Sequence, residues 1–118
     1  MITWTDITVE EADKLVDFYK ITMGWEAIPV DMGVYNDYVM IHPDKPDDAI
    51  CGICHKKGPN GKLPPAWIPY VSVEDIDKYV SRCKENGGEI FDGPRTAGEG
   101  KMCIIKDPNG SLFGLYEG

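Results

Sequence analysis

Residues 4 to 26 of this 118-residue chain recur at residues 68 to 90, without a gap, at a shift of 64 (73 minus 9, for example). Val9 meets Val73, Glu10 meets Glu74, Asp13 meets Asp77, Lys14 meets Lys78, Val16 meets Val80, Lys20 meets Lys84 and Gly24 meets Gly88. Ile7 with Val71, Thr8 with Ser72 and Glu11 with Asp75 are alike in kind. Self-similarity of this sort signals one supersecondary unit used twice, so the architecture must be read as a pair of copies.

The period inside each copy supports the alignment. Ala12, Leu15, Val16, Tyr19 and Met23 fall at helical spacing on one apolar face, repeated by Ile76, Tyr79, Val80, Cys83 and Gly87. Each helix ends at glycine, Gly24 in one copy and Gly87-Gly88 in the other, where a left-handed cap is wanted. Before each helix lies an alternating strand, Trp4 to Val9 and Ile68 to Val73, whose Ile7, Val9, Val71 and Val73 face the helix. Three strand-like segments follow each helix: 26 to 30, 37 to 42 and 49 to 55, then 89 to 91, 101 to 106 and 112 to 116. Asp107-Pro108-Asn109-Gly110 is a strong turn signal, and Gly93 to Gly100 reads as a glycine-rich loop. The expectation is α+β: βαβββ twice in one domain spanning 1–118, with a first module of about 1–57, a linker at 58–65 and a second module of about 66–118.

Composition narrows the partners. A formal net charge of -8 argues against nucleic acid, which is bound through clustered Lys and Arg. No apolar run approaches the ~20 residues of a membrane span, and Met1 leads into strand-like sequence rather than a secretion signal. The expected address is the cytoplasm, with no membrane partner. Cys51-Gly52-Ile53-Cys54 has the spacing of a redox pair or half a zinc knuckle. A strand turns side chains three apart to opposite faces, so Cys51, Cys54, Cys83 and Cys103 are read as small buried apolar residues.

In order and spacing, Val9-Glu10-Glu11, Asp17-Phe18-Tyr19, Met23-Gly24-Trp25, Val73-Glu74-Asp75, Asn86-Gly87-Gly88 and Lys106-Asp107-Pro108-Asn109-Gly110 resemble the glyoxalase, bleomycin-resistance and extradiol-dioxygenase (vicinal oxygen chelate) superfamily. The resemblance implies an incomplete barrel formed by the two modules around a central pocket, helices outside, and commonly a homodimer. It also implies a divalent metal on four strands, at positions that fall on Trp4, Gly52, Ile68 and Gly114. None of these side chains binds a metal, so no metal and no cofactor is predicted. His42, before Pro43, and His55, before Lys56-Lys57, read as solvent-facing strand ends.

Strand alternation gives the pocket face without reference to any family. Residues out of phase with the helix-facing valines are Trp4, Asp6 and Thr8 with Ile68, Tyr70 and Ser72, joined by Ile50, Gly52 and Cys54 with Leu112, Gly114 and Tyr116. Of these, Trp4, Asp6, Thr8, Gly52, Cys54, Ile68, Tyr70, Gly114 and Tyr116 are the expected ligand-binding residues, the two glycines opening space. Asp6 is the candidate acid or base, or a ligand anchor, as against a carboxylate that is merely hydrogen-bonded. Trp4 and Tyr70 suit stacking on an aromatic or cationic ligand. Arg95 is placed in the glycine-rich loop, where it either meets solvent or closes over an anion, and Phe18 and Tyr19 are read as packing. Gly61-Lys62 is no phosphate loop, since Leu63 stands where Ser or Thr is needed. Three functions compete: a metal-free module binding a small organic molecule; an enzyme of lyase, isomerase or dioxygenase type, using non-standard metal ligands or Asp6; and a non-catalytic regulatory or scaffold domain.

Overall fold

The computed structural model describes residues 1–118. It is α+β, with eight strands and two α-helices in the order βαβββ, βαβββ. The elements of the first copy are β1 (Ile2–Val9), α1 (Ala12–Met23), β2 (Glu26–Asp31), β3 (Asn36–His42) and β4 (Lys45–His55). Those of the second are β5 (Ile68–Ser72), α2 (Ile76–Glu85), β6 (Glu89–Ala97), β7 (Gly100–Lys106) and β8 (Leu112–Glu117). No helix is long and apolar enough to cross a membrane.

Two compact units result, one of Thr5–Trp67 and one of Met1–Trp4 with Ile68–Gly118. In the first, strands run β2-β3-β4-β1; β1 and β4 are parallel and the other pairs antiparallel. Ala12 and Val16 of α1 bury against Ile7, Met40, Cys51 and Ile53 on one face of that sheet. The helix stops at Gly24, whose φ of 70° is the left-handed cap conformation that glycine adopts without strain. At the sheet edge, β2 carries Pro29, which has no N–H to offer a passing strand. The second unit repeats the plan: strands run β5-β8-β7-β6, β5 parallel to β8, with Ile76 and Val80 of α2 on Cys103 and Leu115. Between β7 and β8, Asp107 Oδ1 accepts the N–H groups of Asn109 and Ser111 at 2.9 and 3.0 Å, and Gly110 takes φ 88°. The first strand begins within this unit, where the Thr3 and Ser72 hydroxyls lie 3.2 Å apart.

Strand β4 begins at Lys45, four residues earlier than the alternation suggests, and a bulge opposite Met40 and Ile41 leaves Ile50 unpaired. Ile50 consequently packs with the α1 core instead of lining the opposite face. Strand β6 runs on to Ala97, so most of the expected loop is a bulged hairpin arm holding Arg95 opposite Met102. On the helices, Phe18, Met23 and Tyr79 are exposed, at 55%, 50% and 39%.

Candidate functional site

Because Ile7 and Val9 are spent on the α1 core, Asp6 and Thr8 of β1 project from the opposite, helix-free face. The parallel register sets Asp6 beside Gly52 and Thr8 beside Cys54, as alternation predicts. Strand β3 adds a residue that the sequence reading missed. Tyr38 and Met40 join the helix-side core, so Asp37, out of phase with them, faces the other way, and Val39 pairs with Gly52. That phase is the signal that marks Asp37.

This face of the first unit is polar and largely dry. Thr8 is 3% exposed and Asp37 is 7% exposed, while Asp6 and Cys54 are half-buried. Asp37 Oδ1 accepts the backbone N–H of His55 at 2.8 Å. Burial pushes the Cys54 thiol far above its ordinary range; the negative charges of Asp6 and Asp37 and a hydrogen bond to Asp37 push the same way. The thiol is therefore a neutral donor at physiological pH, not a nucleophile.

His55 does not meet solvent as expected. It is 6% exposed; Nδ1 donates to the Asn36 carbonyl at 2.7 Å, and Nε2 faces Asp13 Oδ1 at 3.8 Å. The Tyr38 hydroxyl donates to the same Asp13 oxygen at 2.5 Å, which raises the phenol's pKa, with burial and the charges of Asp13, Asp17 and Asp37 adding to it. His42 is exposed at the β3–β4 turn, where Nδ1 accepts the Asp44 N–H at 3.1 Å. Near the start of α1, an open groove of about 640 Å³ has Val9, Leu15, Phe18 and Pro65 among its lining, with Lys14 and Lys56 at its rim.

The helix-free face of the second unit is differently filled. Ile68 and Tyr70 are 2% and 6% exposed, and Tyr70 pairs with Gly114. The space expected over Gly114 is taken, since a Cβ there would collide with the Tyr70 ring. Tyr116 is half-buried and its hydroxyl donates to the Ala97 carbonyl at 3.2 Å. Asp92, 5% exposed, holds Arg95 through Nε and a terminal nitrogen at 3.2 and 3.1 Å, so this arginine is half-buried and lies on β6, not in a loop. Trp4 is half-buried in the segment grouped with this unit.

The metal implied by the resemblance does not fit these residues. Trp4, Gly52, Ile68 and Gly114 carry no donor for it, and no group of three or more His, Cys, Asp or Glu side chains has the arrangement that holds a metal ion.

The profile of the Glyoxalase/Bleomycin resistance protein/Dioxygenase superfamily matches residues 1–115. Among curated proteins, CFP32 of Mycobacterium tuberculosis (strain CDC 1551 / Oshkosh), provisionally named a glyoxylase, is 27% identical over 121 residues. That match takes in 97% of this chain but 44% of the relative, so the chain spans less than half the length of the curated relatives it matches. Among solved structures, a hypothetical protein of Bacillus halodurans C-125 superposes with a TM-score of 0.66 at 13% identity, over 100% of this chain and 94% of the other. A variant of Streptomyces coelicolor methylmalonyl-CoA epimerase in complex with 2-nitronate-propionyl-CoA gives 0.62 at 18% identity, over 98% and 95% of the two chains. Likeness at such identity is likeness of fold.

Proposed function

Because the chain belongs to the Glyoxalase/Bleomycin resistance protein/Dioxygenase superfamily, we propose that it binds a small organic molecule without a resident divalent metal. The observation that carries this reading is the donor-free set Trp4, Gly52, Ile68 and Gly114. The ligand lies on the helix-free face of the first module, against Asp6, Thr8, Gly52 and Cys54, with Asp37 next to the thiol. Two carboxylates beside a neutral thiol, in a chain of net charge -8, favour a cation. Four unpaired thiols suit a reducing compartment, so we place the protein in the cytoplasm; the homodimer, common in the superfamily, belongs to the same proposal.

A second reading, a metal-free enzyme with Asp6 as acid or base, is favoured by one feature: Asp6 is a half-buried carboxylate on the helix-free face, beside Gly52 in the β1–β4 register. Under it, Asp6→Asn keeps binding and stops conversion of the ligand.

The test is metal analysis of freshly purified protein together with thermal unfolding in benzyltrimethylammonium, an aromatic cation. Little metal and a raised midpoint are expected, with the midpoint shift lost in Asp6→Ala and reduced in Asp37→Asn. At a hundred times Kd the ligand would add about 2.7 kcal/mol. Stoichiometric divalent metal, or a shift indifferent to both substitutions, overturns the reading.

A further inference from the structure

The repeat makes Asp6 and Tyr70 counterparts (70 minus 6 is the 64-residue shift), and each stands beside a glycine in the same parallel register, Gly52 for Asp6 and Gly114 for Tyr70. One position in two equivalent frames thus holds a short acid in one copy and a phenol ring in the other. We propose that Tyr70 is a built-in plug and the specificity-determining residue of the chain: its ring closes the second module's strand face and confines ligand to the first module. The proposal rests on the reading that ligand binds the helix-free face.

The packing carries the argument. A Cβ built on Gly114 would fall 2.6 Å from Tyr70 Cγ and nearer still to Cδ2 and Cε2, so the ring lies directly against the glycine. Ile104, with no exposure, pairs with Gly114 on its other side, and the ring itself is 6% exposed. Glycine is what lets the ring lie so close, and the ring is what fills the space glycine leaves. A ligand reaching this face would have to displace a well-packed aromatic side chain, at the cost of all its contacts.

Removing the ring should create a phenol-sized void, and apolar voids of that size take up aromatic molecules. Phenol is therefore the probe. In Tyr70→Ala, phenol is expected to raise the unfolding midpoint by about 5 °C near saturation, whereas wild type and Tyr70→Phe, which keep the ring, should not respond. Adding Gly114→Val to Tyr70→Ala should refill the void and abolish the response. Should Tyr70→Ala not fold, Tyr70→Leu offers a smaller void, and Gly114→Ala should lower the midpoint in wild type but far less beside Tyr70→Leu.

Calorimetric titration with benzyltrimethylammonium separates this proposal from the reading beneath it. One site per chain in wild type, lost in Asp6→Ala, together with phenol uptake confined to Tyr70→Ala, supports both. Two sites in wild type, a phenol response in Tyr70→Phe equal to that of Tyr70→Ala, or no response in folded Tyr70→Ala overturns the plug. Phenol uptake confined to Tyr70→Ala, with no cation bound by wild type, upholds the plug and sinks the ligand reading.

Discussion

Asp37 links two kinds of contact through one carboxylate, a backbone N–H of β4 and the Cys54 thiol. Asp37→Ala leaves the buried His55 N–H without its acceptor, a loss of about 1–3 kcal/mol in denaturant unfolding. Asp37→Asn is subtler, because an amide oxygen still accepts that N–H while the charge is gone. Of the causes that raise the thiol's pKa, burial and Asp6 then remain and both contributions of Asp37 are lost. Each pKa unit recovered makes the thiolate about tenfold more abundant at mildly alkaline pH. Cys54 should therefore react faster with iodoacetamide in Asp37→Asn than in wild type, read by mass spectrometry of the modified peptide. An unchanged rate would mean that burial alone silences the thiol. Residues such as Asp6 and Thr8 were legible from alternation on a single strand, because the phase of β1 is fixed by its own Ile7 and Val9. Asp92 was not: it reaches the helix-free face through a bulge in β6 that no local pattern announces.

At the scale of elements, the two copies differ most usefully where their helices begin. Asp75 caps α2, its side chain accepting the Lys78 N–H at 3.3 Å, and Glu117 accepts the Ile76 N–H at 2.8 Å. Its counterpart Glu11 makes no capping hydrogen bond; its longer side chain instead pairs with Lys14 at 3.0 Å, an exposed contact of small worth. Glu11→Asp, which copies the second module into the first, should stabilise the chain by about 0.5–1 kcal/mol, and Asp75→Ala should cost about 0.5–2 kcal/mol. Urea unfolding of both variants checks the pair; a neutral Glu11→Asp would show that the local backbone, not the side chain, keeps α1 uncapped. Helices and first strands were readable because their periods are local. The extent of β4 and β6 was not, since Lys45 to Asp48 and Gly93 to Arg95 are polar or turn-forming by composition and become strand only through partners across the sheet.

The whole molecule has a pH signature that follows from its buried thiols. Burial, followed by the Asp6 charge, pushes Cys51 up to about 11; burial, the neighbouring Cys83 and Asp92 push Cys103 to about 11 against the opposing pull of Lys84. Cys54 lies higher still. In the unfolded chain each thiol loses its proton near about 8.5. Above that pH the unfolded state binds fewer protons than the folded one, so stability falls as pH rises, and it continues to fall until the folded thiols themselves ionise. Each thiol contributes a slope of up to about 1.4 kcal/mol per pH unit over that window, and none below it. Urea unfolding from neutral to alkaline pH should therefore show a steep loss of stability that Cys51→Ala and Cys103→Ala make shallower one thiol at a time, whatever they cost at neutral pH. Self-repulsion in an acidic chain would also weaken the fold at high pH, but added salt screens repulsion and leaves desolvation of a buried sulfur untouched. A slope that persists in high salt and flattens with each cysteine removed belongs to the thiols; one that salt abolishes, or that the substitutions leave as steep as before, belongs to net charge.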